Sequence, residues 1–280
     1  MITQLFLLIS GLLLLIVGSN YLLKSAVDLS IKLNLSKVVI GLTVVSFATS
    51  APELLISISS ALKGSADIAI SNVIGSNIAN LGLVLGTALC FTKIKIPKSN
   101  MKFDWTFLMI ISFLFFYFIN DLSVNRLEGI LLFLALMLFL FFIIKIRDDA
   151  DVEEIKITTS SNYKILILIL VSSTLLYYGS ELFVNSSIYF AEYFGVSERV
   201  IGLTLVAIGT SLPELVTTLV AIYKSELDIS IGNIIGSNIF NILAVIGLTS
   251  IVTDLNILSE RILTFDIYVM ILFSLILVFF

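Results

Sequence analysis

The sequence contains no histidine and a single cysteine, Cys90. Without histidine there can be no histidine metal site, no Ser-His-Asp triad and no imidazole proton relay. One cysteine rules out an intrachain disulfide and any cysteine-based metal cluster. Charge is also scarce. Asp, Glu, Lys and Arg make up 13% of the 280 residues, where a soluble domain carries about 25%. Hydrophobic residues reach 59% against about 45–50%, and the mean hydropathy is +1.13. Both departures point toward lipid and away from soluble enzymes, disordered tails and nucleic-acid binders. The net charge of −4 is too small to single out a partner, and neither a nucleic acid nor a protein partner is implied.

What the sequence does have is long apolar runs. Roughly 20 apolar residues in a helix cross a bilayer core. Nine such runs can be read, at about 4–24, 38–62, 68–92, 103–120, 127–146, 163–190, 199–223, 229–252 and 262–280. The expected fold is an all-α polytopic membrane protein. The first run lacks the basic flank and small-residue cleavage site of a signal peptide. With the N-terminus outside, twelve Lys and Arg fall in cytoplasmic segments. Four, Lys63, Arg126, Arg199 and Arg261, fall outside. The positive-inside rule favours that orientation, which suits the cell membrane. The longest loop, 147–162, holds Asp148, Asp149, Asp151, Glu153 and Glu154. It lacks the glycine of an EF-hand loop and reads as a solvated cytoplasmic linker.

An internal repeat organises the chain. Residues 41–53 read GLTVVSFATSAPE and residues 202–214 read GLTLVAIGTSLPE, with eight of thirteen positions identical at an offset of 161 (202 minus 41). The same offset lays SNVIGSNIAN at 71–80 onto GNIIGSNIFN at 232–241, with seven of ten identical. It also pairs Gly18-Ser19 with Gly179-Ser180 and Asp67 with Asp228. The repeat covers five crossings, an odd number, so the second copy is expected to enter from the opposite face, as in many secondary transporters. The first copy spans 1–146 and the second 163–280. A fifth helix of the second copy, the tenth in all, would map to about 288–307 and is absent from the 280 residues.

The repeated segments concentrate polar chemistry in apolar helices. Pro52 and Pro213 each remove a backbone donor, so their helices should break there. Irregular backbone inside a membrane is tolerated where protein or a wet cavity covers it. Glu53 and Glu214 follow directly. An acidic residue at the bilayer centre costs about 2.5–3.5 kcal/mol or more, so two at equivalent positions imply a shared function. Glu181 and Asp266 lack acidic repeat-mates and read as structural. Thr49, Ser50, Thr210 and Ser211 supply hydroxyls at the breaks. Ser76 and Asn80 share one helix face at i,i+4, as do Ser237 and Asn241. Asn72, Asn77, Asn233 and Asn238 read as interhelical hydrogen-bond glue. Gly75 and Gly236 are expected to allow close helix packing. The donor set is all hard oxygen, which suits Ca²⁺, Na⁺ or Mg²⁺ and not Zn²⁺ or Cu⁺.

These segments resemble the α-repeats of the sodium/calcium exchangers, in the cation/calcium exchanger superfamily. The resemblance covers the whole chain in layout and is specific in the G-T-S-x-P-E and G-S-N-I-x-N motifs. It implies an antiporter, not an enzyme, with no cofactor, exchanging three Na⁺ for one Ca²⁺. Carried over by motif, Ca²⁺ is held by Glu53 and Glu214 with carbonyls near Thr49 and Thr210. Na⁺ is held with the further help of Ser46, Ser50, Ser76, Ala207, Ser211 and Ser237. Many members place Asp where Asn241 stands. Here Asn80 and Asn241 are both neutral, and the site charge is −2. The nearest rival is a Ca²⁺/H⁺ antiporter of the same superfamily, in which each glutamate carries one proton. Such exchangers usually have a G-N-x-x-E form of the motif. A membrane enzyme would not require matched hydroxyls and amides in two copies, and a channel would not require twin broken helices.

Overall fold

The computed structural model describes residues 1–92, 98–146, 160–196 and 207–279. Where they are described, the nine apolar runs are helical except at Ser50, at Thr210 and Ser211, and at the terminal Thr92. The elements are α1 (Ile2–Leu33), α2 (Lys37–Thr49), α3 (Ala51–Leu62), α4 (Ala66–Phe91), α5 (Lys98–Phe118), β1 (Ser123–Val124) and α6 (Arg126–Ile146). They continue with α7 (Asn162–Tyr193), α8 (Ala207–Gly209), α9 (Leu212–Tyr223), α10 (Leu227–Val252), β2 (Leu255–Asn256) and α11 (Ile262–Ile276). Six helices are long and apolar enough to cross a membrane, and the broken pair α2–α3 makes a seventh. The helices α9 and α11 are shorter, so nine full-length spans are not found among the described residues. The expected acidic linker lies outside them, except for its last residues.

The first run is longer than its apolar stretch suggests. The helix α1 has 32 residues, roughly 48 Å at 1.5 Å per residue, and overruns a hydrocarbon core of about 30 Å. The expected apolar run ends near Lys24, but the helix continues through a mixed stretch holding Asp28 and Lys32 to its cap at Asn34. That residue ends it in the left-handed conformation, φ 55°, which asparagine tolerates better than most side chains. The helix α7, also 32 residues long, starts from Ser161, whose hydroxyl accepts from the Lys164 N–H at 3.3 Å, a side-chain N-cap.

Element boundaries repeat at the sequence offset. Adding 161 to the bounds of α3 and of α4 gives the bounds of α9 and of α10. Backbone conformation repeats as well. Five described residues have positive φ, and four of them form two pairs 161 apart: Asn34 with Gly195 and Gly64 with Ser225. Wide π-helical turns begin at Asn80 and again at Asn241.

The chain forms two compact units, Met1–Ala51 with Arg147–Asn233, and Pro52–Ile146 with Ile234–Phe280. In the first unit α1 lies against α7 at glycine contacts. A Cβ on Gly11 would lie 2.8 Å from the Gly179 carbonyl oxygen, and one on Gly18 would lie 3.2 Å from the Ser172 carbonyl oxygen. Ser172 is the repeat-mate of Gly11 and Gly179 that of Gly18, so the two contacts exchange under the offset. That is the behaviour of a two-fold interface. Leu15, Leu22, Leu23, Ala26 and Leu176 fill the core between these helices. Elsewhere on α1, Leu5, Phe6, Ile9 and Leu13 are exposed, which suits lipid and would be a large apolar patch in water.

In the second unit β1 pairs antiparallel with β2, Ser123 opposite Asn256 and Val124 opposite Leu255. Asp67 fastens the chain just beyond β2, accepting from the Leu258 N–H at 2.8 Å. At the start of α6, Asn125 accepts from the Glu128 N–H, and Glu128 returns the bond to the Asn125 N–H at 2.8 Å, a reciprocal cap.

Candidate functional site

In the first unit the polar residues gather where the helices break. Ser50 (φ −84°, ψ 3°) and its repeat-mate Ser211 (φ −90°, ψ 7°) both leave the helical conformation for the sparsely populated bridge region. Two residues on, Pro213 has no N–H to offer the Gly209 carbonyl. Ser180 takes over, donating its hydroxyl to that oxygen at 2.6 Å. Ser19, the mate of Ser180, instead shares a 3.0 Å hydrogen bond with Thr217.

Glu214 is fully buried in the first turn of α9. The positive end of the helix dipole favours a carboxylate there. Ser50 donates to Glu214 Oε1 at 3.4 Å, joining the break of one copy to the acid of the other. Thr49 donates to Asn233 Oδ1 at 3.1 Å. Ser46 donates to the Gly41 carbonyl at 2.8 Å and to the Asn233 carbonyl at 3.2 Å. These hydroxyl protons are directed at protein acceptors, which leaves oxygen lone pairs for a cation. Ser211 Oγ is buried and has no hydrogen-bond partner among the described residues. Thr210 is half-buried beside it, and Ala207 opens α8.

In the second unit Glu53 is fully buried in the first turn of α3. Ser76 donates to Glu53 Oε1 at 3.5 Å. Asn72 donates to the Glu53 carbonyl at 3.2 Å and to Ser57 Oγ at 3.0 Å, which is the tying role expected of it. Asn80, Ser237 and Asn241 are all fully buried. Asn241 Nδ2 donates to Asn77 Oδ1 at 3.0 Å. Neither polar atom of Asn80 has a partner among the described residues. Asn80 and Asn241 each open a π-helical turn, a feature frequent at functional sites.

One expectation is corrected. Beyond its own stretch of helix, no described residue comes within 4 Å of a Cβ placed on Gly75, so close packing is not its role there. A close approach in the second copy of this motif is at Gly232, where an added Cβ would fall 2.9 Å from Gly41 Cα. The sequence reading also passed over Asp104, an acid only 2% exposed within α5. It lies outside the repeated motifs, and only its place near Trp105 in an apolar run could have marked it. Glu181 is exposed, and Asp266 faces Arg261 Nε at 3.8 Å, in keeping with structural roles.

Among the described residues, no three acids, histidines or cysteines are grouped so as to hold a metal ion by themselves. Each group instead sets one carboxylate among hydroxyl and amide oxygens, the ligand chemistry of hard cations. The sodium/calcium exchanger protein family matches this chain over residues 3–145 and 164–280. The chain belongs to that family. The interval between the two matched stretches coincides with the acidic linker. The chain is similar to the sodium/calcium exchanger MaX1 of Methanosarcina acetivorans, 35% identical over 323 aligned positions covering all of this chain and 92% of the relative. It is also similar to the inner membrane protein YrbG of Escherichia coli K12, 33% identical over 257 positions, 88% of this chain and 79% of the relative. Among solved structures it matches the sodium-calcium exchanger NCX_Mj soaked with 2.5 mM Na⁺ and 0.1 mM Ca²⁺. That match has a TM-score of 0.81 at 30% identity, over 99% of this chain and 90% of that one. As a member of this family the protein is an integral multi-pass membrane antiporter.

Proposed function

We propose that this exchanger moves Ca²⁺ out of the cell against inward Na⁺, electrogenically and by alternating access, from the cell membrane with its N-terminus outside. The observation that carries the reading is the doubled arrangement of a broken helix, a proline and a fully buried glutamate at the first turn of the following half-helix. Glu53 and Glu214 serve as Ca²⁺ ligands, and two negative charges match one divalent cation. Thr49, Ser50, Thr210, Ser211, Ser76, Ser237, Asn80, Asn241, Ser46 and Ala207 supply neutral oxygens, through side chains or backbone carbonyls, which suit Na⁺. Residues 1–146 and 163–280 act as the two inverted copies. The matched element bounds and the paired positive-φ residues support that division.

An empty pair of buried carboxylates is costly to desolvate, so the unloaded protein should not change face, and transport is obligatory exchange. The test is ⁴⁵Ca²⁺ uptake into proteoliposomes loaded with Na⁺, K⁺ or choline, with and without a pH gradient. Uptake driven by internal Na⁺ alone supports the reading. Uptake driven by the proton gradient, independent of Na⁺, would establish the Ca²⁺/H⁺ alternative. Glu53→Gln and Glu214→Gln should each abolish uptake, and activity retained by either variant removes that residue from the site.

A further inference from the structure

We infer that Asn77 is a positioning residue that fixes which end of the Asn241 amide is offered to the transported cation. The inference rests on the reading that Asn241 belongs to the cation site. It starts from a group whose polarity is beyond choice. The Asn238 backbone carbonyl can only accept, and Asn77 Nδ2 donates to it at 3.3 Å. The same nitrogen lies 3.6 Å from Met270 Sδ, another acceptor. Asn77 therefore turns its Oδ1 toward Asn241, which must answer with its NH₂, and does so at 3.0 Å. What remains is Asn241 Oδ1, buried and with no hydrogen-bond partner among the described residues. Reversing either amide would set oxygen against oxygen or NH₂ against NH₂.

Na⁺ and Ca²⁺ bind oxygen, not N–H. A free asparagine offers either end, and the wrong one repels a cation. The bond to Asn77 removes that ambiguity before an ion arrives, the kind of preorganisation that a supporting residue supplies to a ligand. The repeat-mates show what happens without it. Asn80 corresponds to Asn241, and Asn238 to Asn77. Asn238 instead spends its Nδ2 on the Ile234 carbonyl at 2.7 Å. Its Oδ1 and both polar atoms of Asn80 have no partner among the described residues. One amide of the pair is oriented and the other is not. Asn77 is thus a determinant of cation affinity, although it is not itself a ligand.

The test is a double-mutant cycle of Asn77→Ala, Asn241→Ala and the pair in reconstituted protein. It reads the Na⁺ concentration for half-maximal ⁴⁵Ca²⁺ exchange and the maximal rate separately. Residues that support a ligand typically contribute about tenfold or more to affinity. Asn77→Ala should therefore raise half-saturating Na⁺ by about tenfold with little change in maximal rate. In the Asn241→Ala background it should add nothing further. Multiplying effects, or an Asn77→Ala protein with wild-type Na⁺ dependence, overturns the inference while leaving Asn241 in the site. An unchanged Asn241→Ala protein overturns the site reading itself, and the inference with it. Asn77→Ser keeps a polar group in the buried position if the alanine protein fails to insert, and the same pattern is expected of it.

Discussion

Ser180 donates its hydroxyl at 2.6 Å to the carbonyl of Gly209, the group that Pro213 leaves without its helical partner. A side chain on α7 thereby completes a hydrogen bond that the helix break ahead of α9 cannot make. Removing it should leave a buried carbonyl unsatisfied, at a cost of about 1–3 kcal/mol. Ser180→Ala is expected to lower the thermal midpoint of the detergent-solubilised protein, and Ser180→Thr to keep it near wild type. Equal midpoints for the alanine and wild-type proteins would show that the carbonyl finds another donor.

Thr210 stands beside the break, and the proposed reading gives it the role of a neutral oxygen donor. Na⁺ depends on such groups more than Ca²⁺, which has the carboxylates. Thr210→Val should raise half-saturating Na⁺ by about three- to tenfold, the equivalent of losing one interaction of roughly 0.5–1.5 kcal/mol. Ca²⁺ dependence should shift less. Flux assays with each ion varied in turn distinguish the two. A shift confined to the pH profile would favour proton coupling.

The glycines of the repeated motif differ in what they permit. A Cβ added at Gly232 would fall 2.9 Å from Gly41 Cα, whereas one added at Gly75 meets no described residue within 4 Å beyond its own stretch of helix. Overpacking a tight contact costs about 1–3 kcal/mol. Gly232→Ala should reduce thermal stability and exchange, and Gly75→Ala should be tolerated. The opposite ranking would mean that Gly75 is the true packing position.

Lys63 and Lys224 are exposed repeat-mates, 161 residues apart, in the turns that follow α3 and α9. In an inverted repeat they lie on opposite sides of the membrane. In a Cys90→Ser background, a membrane-impermeant maleimide added to intact cells should label Lys63→Cys and spare Lys224→Cys. The pattern should reverse in inside-out vesicles. Labelling of both from one side would contradict the inverted topology.

The parts of this protein that could be read from sequence are those with a chemical signature. Apolar length marked the helices. Proline marked the breaks, and the structure puts them at Ser50 and Ser211, two residues before the prolines. The repeat drew attention to Glu53 and Glu214, and both are fully buried. Other features leave no such trace. A π turn at Asn80 adds backbone width without changing residue type, so nothing in the letters announces it. The strands Ser123–Val124 and Leu255–Asn256 are too short to show a period of two. The polarity of the Asn77–Asn241 pair depends on a backbone carbonyl at position 238, which every residue possesses and no motif records.

The helix α10 has 89% of its membrane-length window covered by protein, against 22% for α1. Its buried polar side chains include Ser230, Asn233, Ser237, Asn238, Asn241 and Thr249. A segment of this kind has no face made for lipid. During synthesis it leaves the ribosome after α1 to α9, so it cannot settle in the bilayer alone and then associate through a ready-made apolar stripe. It has to pass from the translocon directly into contact with helices already inserted, or wait at the channel until they have gathered. Biogenesis of the exchanger therefore has an order built into it, with this enclosed helix arriving only after the nine helices before it.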